Sequence, residues 1–208
     1  MMKTLFTMLL LTAMSLAVFS QNDVVIGTQI WQAKNLNVGT RINLNQSSQD
    51  NGIIEKYCYG NLEANCTKYG AFYDWNELMS YGNPKDICPD GYRVPSDADF
   101  ALLLATVGDN NAIKLKSLTT WKTNTPYPGT DEFNFAWVGS GYGYAGNQWA
   151  CQGTFGYSWT STMPGAWPVV YTINNYALLS GVSNAGKIYV YKDGKYRSYL
   201  PVRCLKNE

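Results

Sequence analysis

Five cysteines, Cys58, Cys66, Cys88, Cys151 and Cys204, have the widest choice of chemistry in this 208-residue chain: disulfide, metal ligand or nucleophile. The chain contains no histidine. That absence removes the commonest metal ligand and the commonest general base, and with them any Ser-His or Cys-His nucleophile–base pair. An odd cysteine count leaves at least one thiol unpaired or paired outside the chain. Carboxylates are the other reactive groups. Asp74, Glu77, Asp97 and Asp99 stand near one another in sequence, as a paired acid and base would need. Two of them fit helix capping and helix polarity, so structural roles are the expectation and no catalytic residue is assigned.

Aromatic side chains offer a different chemistry. Between residues 125 and 186 the chain is poor in charge and rich in Gly, Tyr, Asn and Trp. Tyr142, Tyr144, Trp149 and Trp167 could stack on sugar faces, while Asn147, Gln148, Asn174 and Asn175 satisfy hydroxyls. The same rings equally suit a hydrophobic cluster beneath long loops, and Tyr and Trp are also the usual hot spots of protein interfaces. Composition leaves all three roles open. From Asp131 onward only Asp131, Glu132, Asp193 and Glu208 are acidic, too few for a calcium site in the later half. No cofactor and no metal are expected.

The elements that must position these residues begin after residue 20. Lys3 precedes an apolar run from Leu5 to Phe19, the order of a secretory signal peptide cleaved after Ser20. That run is short for a bilayer span, no other stretch is long enough, and no cysteine follows it for lipid attachment. A mature chain of 21–208 loses one lysine and no acid, leaving 15 Lys+Arg (16 less Lys3) against 15 Asp+Glu. Such neutrality gives no electrostatic reason to bind nucleic acid or anionic membranes. The expected location is extracellular or at the cell surface, with the periplasm as the alternative. There the disulfide is the first reading of the cysteines and metal ligation the second.

Apolar spacing predicts a helix over 70–81 carrying Phe72, Trp75, Leu78 and Met79. A second helix starts at Ser96, with Asp99 completing a capping-box variant, and ends near Gly108. The segment 112–118 adds a turn or two. Val24 to Trp31 reads as a strand pair folding about Gly27-Thr28. Asp193-Gly194 between Lys187–Tyr191 and Tyr196–Val202 predicts a terminal hairpin. Seven tryptophans, 16 tyrosines and 19 glycines suit short strands and tight loops in one domain. Trp75, Trp121 and Trp159 fall inside predicted elements, so core packing is their expected role.

Several blocks, in order, resemble the Fibrobacter succinogenes major paralogous domain. They are Val25-Ile26-Gly27-Thr28-Gln29-Ile30-Trp31 with Ala33-Lys34-Asn35-Leu36-Asn37; Tyr57-Cys58-Tyr59-Gly60-Asn61 to Cys66, with Tyr69-Gly70 and Tyr73-Asp74-Trp75; and Cys88-Pro89-Asp90-Gly91-Tyr92-Arg93-Val94-Pro95-Ser96-Asp97. The later pieces are 112–116 with Trp121, Trp159-Thr160-Ser161-Thr162, and Val202-Arg203-Cys204. The resemblance runs from Val25 to Lys206. The third block and the closing Arg-Cys are also similar to formylglycine-generating sulfatase-modifying proteins, and both families look like variations on the C-type-lectin-like fold. The resemblance implies an α+β domain with two helices, small antiparallel sheets, long ordered loops and disulfide stabilisation.

It also implies the pairing Cys58–Cys66 and Cys88–Cys204, the second tying the helical half to the last strand. Cys151 is left as a loop thiol, either buried or free to react between chains. Formylglycine-generating chemistry needs two nearby late cysteines that bind copper, and residues 152–203 hold none. The motifs of calcium-dependent lectins are missing from the later half as well. The expected function is therefore a non-catalytic exported binding or adhesion module for a glycan or surface protein. A self-assembling structural component is the alternative, and an oxidase-like enzyme ranks third.

Overall fold

The computed structural model describes residues 23–83, 86–108, 112–123, 127–144, 146–165, 167–174, 185–189 and 198–208. The expected leader and the turn at 192–195 lie outside them, as does Asn175. In chain order come β1 (Asp23–Ile26), β2 (Gln29–Gln32), the short parallel pair β3 (Thr40–Arg41) and β4 (Glu55–Lys56), α1 (Glu63–Tyr69) and α2 (Trp75–Leu78). Next are β5 (Tyr92–Arg93) and α3 (Asp97–Val107). The second half carries β6 (Tyr142–Tyr144), β7 (Gln148–Ala150), β8 (Phe155–Trp159), β9 (Val169–Asn174), β10 (Ala185–Tyr189), β11 (Ser198–Tyr199) and β12 (Leu205–Lys206).

The mixture is α+β. The strand pair expected at 24–31 forms, with Val24 opposite Trp31. β12 pairs with β2 and β5, giving an antiparallel sheet in the order β1-β2-β12-β5. A meander β10-β9-β8 and a ribbon β11-β6-β7 make two further sheets. The stretch expected to be loops between 125 and 186 thus contains strands β6 to β9.

α3 matches its sequence signal closely. Ser96 Oγ accepts from Asp99 N (3.3 Å), Asp99 Oδ2 accepts from Ser96 N (2.6 Å), and Gly108 ends the helix. Its inward residues Phe100, Leu103 and Val107 pack with Trp31, Phe135, Trp137 and Tyr171 in one core cluster. A second cluster gathers both disulfides around Tyr73, Leu78, Trp159 and Leu200. Trp159 and Trp121 are buried, while Trp75 is half-buried against the second cluster and donates to Thr160 O (3.1 Å). The third cluster is aromatic: Tyr57, Phe72 and Tyr199 with Leu44.

Two expectations need correction. The helix over 70–81 shrinks to α2, because residues 71–73 are extended. Phe72 exchanges backbone hydrogen bonds with Tyr57, and Tyr73 does so with Leu200. Gly70 ends the preceding helix α1 with φ of +84°, a conformation a β-carbon disfavours. Asp74 then caps α2, accepting from Asn76 N and Glu77 N. The described residues thus hold three α-helices rather than two. The turn of the predicted terminal hairpin and the strand ends beside it, 190–197, lie outside the described residues; of its flanks, β10 pairs with β9 and β11 with β6.

Candidate functional site

Strict alternation along β6 and β7 sorts the aromatic residues onto two faces. Tyr142 stands opposite Ala150 and Tyr144 opposite Gln148, so these four share one face. Gly143 and Trp149 occupy the other. Trp149 turns inward onto Tyr59 and Phe72, with ring centroids at 5.0 and 5.1 Å. Gly143 permits this, because a β-carbon there would meet the Trp149 ring at 2.9 Å.

The Tyr142 face continues onto β8, and Tyr142 and Tyr157 pack against the edge of the second core cluster. Gly141 N donates to Phe155 O (2.8 Å), which holds the start of β6 against the start of β8. On β8, Trp159 is buried while Tyr157 and Phe155, on the same face, emerge half-buried. Tyr142 and Tyr144 lie at 33° to each other, centroids 5.6 Å apart. Phe155 and Tyr157 are nearly parallel, at 16° and 5.9 Å. The two pairs meet edge to face, Tyr142 against Tyr157 at 75° and 5.5 Å. The result is an angular trough of four half-buried rings. Polar groups flank it. Asn174 stands opposite Phe155 and Thr172 opposite Tyr157 on β9, and Tyr144 donates its hydroxyl hydrogen to Gln148 Oε1.

Cys151 is the free thiol, half-buried at φ +63° in the turn joining β7 to β8. Its carbonyl accepts from Thr154 N and Phe155 N, both at 3.0 Å. Burial first, and Cys151 second, raise the pKa values of Tyr142 and Tyr157. Tyr59 is also raised, by burial. These hydroxyls therefore remain protonated donors at neutral pH.

Of the surface expected from sequence, Tyr142, Tyr144 and Asn174 come together in the trough, and exposed Asn147 sits in the β6–β7 turn at φ +61°. Trp149 packs on the opposite face. Trp167, 38% exposed, lies beyond Val169, at the far end of the β8–β9 pair from Phe155 and Asn174. Phe155 and Tyr157 were not picked out from sequence. The alternation Phe155-Gly156-Tyr157-Ser158-Trp159 was the available signal.

All four suspect carboxylates have structural partners. Besides capping α2, Asp74 accepts the Ser48 hydroxyl hydrogen. Asp97 Oδ1 accepts from Tyr171 (2.8 Å), and Asp99 takes Arg93 in a two-pronged bridge (2.5 and 2.9 Å). Glu77 differs. It lines a cleft of about 380 Å³ with Asp50, Tyr81 and Asp86, and burial pushes its carboxyl up to about 7. Glu55 N and the Tyr81 hydroxyl, each at 3.1 Å, occupy its two oxygens.

A carboxyl raised from 4.5 contributes stability that is fully present below pH 4.5 and is lost as pH rises towards 7. The shift corresponds to about 3 kcal/mol. Glu77→Gln should flatten the urea-midpoint profile between those pH values; an unchanged slope would assign the dependence elsewhere.

Among the described residues, one group could gather three metal ligands, Cys58, Glu63 and Cys66. Its two sulfurs are bonded to each other and retain no thiolate. No helix of the described residues is long and apolar enough to cross a membrane.

A model of one family, the Fibrobacter succinogenes major domain, matches residues 24–206. No curated protein and no solved structure matches the chain.

Proposed function

The chain belongs to the Fibrobacter succinogenes major domain family, and from that premise we propose that it is a non-catalytic binding module whose ligand is a carbohydrate. The observation carrying this reading is the trough of Tyr142, Tyr144, Tyr157 and Phe155. Its two ring pairs meet at a steep angle, with amides of Gln148 and Asn174 alongside. A pyranose has apolar faces and a rim of hydroxyls, so adjacent rings can cover the faces while amides and phenols bond the rim. Binding needs no metal in this arrangement.

A C-type-lectin-like architecture belongs to the same reading, supported by the pairing of β2 with β12 and by the disulfide joining Cys88 to Cys204. Export to the bacterial surface or beyond is supported by the leader-like residues 1–20 and by two disulfides, which persist in oxidising compartments. The second reading is self-association through this face, favoured by the half-buried thiol of Cys151 beside the trough.

The test is a glycan-array screen of the purified chain with and without EDTA, followed by titration of Tyr142→Ala and Tyr157→Ala. A selective signal indifferent to EDTA is expected, weakened about tenfold or more by either substitution, the loss typical of an interface hot spot. Binding abolished by EDTA would overturn the metal-independent site. A silent array with concentration-dependent assembly, lost in Cys151→Ser, would transfer the function to the second reading.

A further inference from the structure

On another part of the surface, a cavity of about 670 Å³ opens beside α1 and the closing strand. Its volume is in the range of small-molecule sites. Lys34, Lys68 and Arg203 line it, and no aspartate or glutamate does. Lys34 and Lys68 are exposed, and Lys68 Nζ lies 5.0 Å from the Tyr69 ring centroid. Arg203 is 2% exposed.

Neutral oxygens surround the Arg203 guanidinium. Nε and Nη2 donate to Asn35 Oδ1 (3.3 and 3.1 Å), Nη2 also to Ala136 O (3.3 Å), and Nη1 to Phe135 O. The Phe135 ring lies 4.2 Å from the guanidinium carbon. These contacts use four of the five N–H groups that an arginine carries. None of the ion pairs among the described residues includes Arg203. Asp131 acts on it only through space, its carboxylate accepting from Ala136 N (2.7 Å). A buried cation without an anion at contact distance is costly, and burial pulls this arginine down to about 9. The cavity therefore combines a built-in cationic floor, two cationic walls and no competing acid.

We propose that this cavity binds a small molecule bearing an oxyanion (carboxylate, sulfate or phosphate). Lys34 and Lys68 draw in the charged group over the Arg203 floor, and Asn134 and Thr119 bond its neighbouring hydroxyls. The residues are distinct from those of the aromatic trough, so each site can succeed or fail alone.

The experiment is thermal unfolding and calorimetric titration of the whole chain at low ionic strength. The probes are sodium sulfate, sodium phosphate and sodium glucuronate, with glucose and matched sodium chloride as controls. At least one oxyanion should raise Tm saturably above the chloride control, and the one that does identifies the preferred group. Lys34→Gln/Lys68→Gln, both at exposed positions, should unfold like the parent without ligand yet bind that anion at least tenfold more weakly. Tyr142→Ala should bind it unchanged. No saturable response beyond chloride, or full affinity in the double variant, would overturn the site.

Discussion

Replacing Cys88 and Cys204 together by alanine is expected to lower the free energy of unfolding by about 5 kcal/mol, the largest loss from any one covalent link in this protein. The bridged residues are 116 apart, so the bond removes far more freedom from the unfolded chain than the Cys58–Cys66 link, whose partners are eight apart. The shorter link contributes about 2.5 kcal/mol on the same chain-entropy reasoning. Both long-range partners are buried in the second core cluster, so their removal also leaves unfilled space. Against a typical total of about 5–15 kcal/mol, this loss is a third or more of the stability. Urea unfolding of the two double variants checks it. A Cys58/Cys66 variant as unstable as the Cys88/Cys204 one would show that loop length is not the governing quantity.

Trp159→Ala is expected to cost about 3–5 kcal/mol, the usual range for deleting a buried tryptophan. The indole is fully buried, and its Nε1 donates to Tyr73 O at 2.8 Å. Its backbone N bonds Pro201 O at 3.0 Å. One residue thus joins the segment before α2, strand β8 and the chain leading to β12. Trp159→Phe keeps most of the volume but removes one of the two hydrogen bonds that the Tyr73 carbonyl accepts, leaving the one from Leu200 N, at a cost of about 1 kcal/mol. If the phenylalanine variant is as unstable as the alanine one, the hydrogen bond outweighs the packing. Tyr157 lies two residues away on the same face, so on the proposed carbohydrate-binding reading affinity should fall with Trp159→Ala even where the chain remains folded.

Local chemistry made α3 legible: Ser96 and Asp99 specify its start, Gly108 its end, and no distant residue is needed. The β1–β2 pair was legible for the same reason. Helix α1 escaped because its seven residues bury only Cys66 and Tyr69, too few to set a period. Phe72, Trp75, Leu78 and Met79 do fall at helical spacing. Yet Phe72 and its neighbour Tyr73 serve different clusters from extended backbone, a split imposed by Tyr57 and Leu200 far along the chain. The hairpin suggested by Asp193-Gly194 has its turn outside the described residues, while its flanks find partners in β9 and β6 that the local sequence did not announce. The disulfide pairing came from the family resemblance. Half of the trough was visible in Tyr142 and Tyr144, while Trp149 shows that ring content alone does not tell an inner face from an outer one. The oxyanion cavity was invisible in the sequence, since Lys34, Lys68, Asn134 and Arg203 meet only when both ends of the chain pack together.

The Cys88–Cys204 bond also governs how the protein answers a mechanical pull. Tension along the chain enters at one sulfur and leaves at the other, bypassing the 115 residues between them (116 less one). At about 3.4 Å per extended residue, roughly 390 Å of chain cannot be drawn out while the bond holds. That protected length contains Tyr142, Tyr144, Phe155 and Tyr157 on their strands. Under shear the segment ahead of Cys88 can give way and lengthen, while the four rings of the trough stay inside a covalent ring and off the line of force.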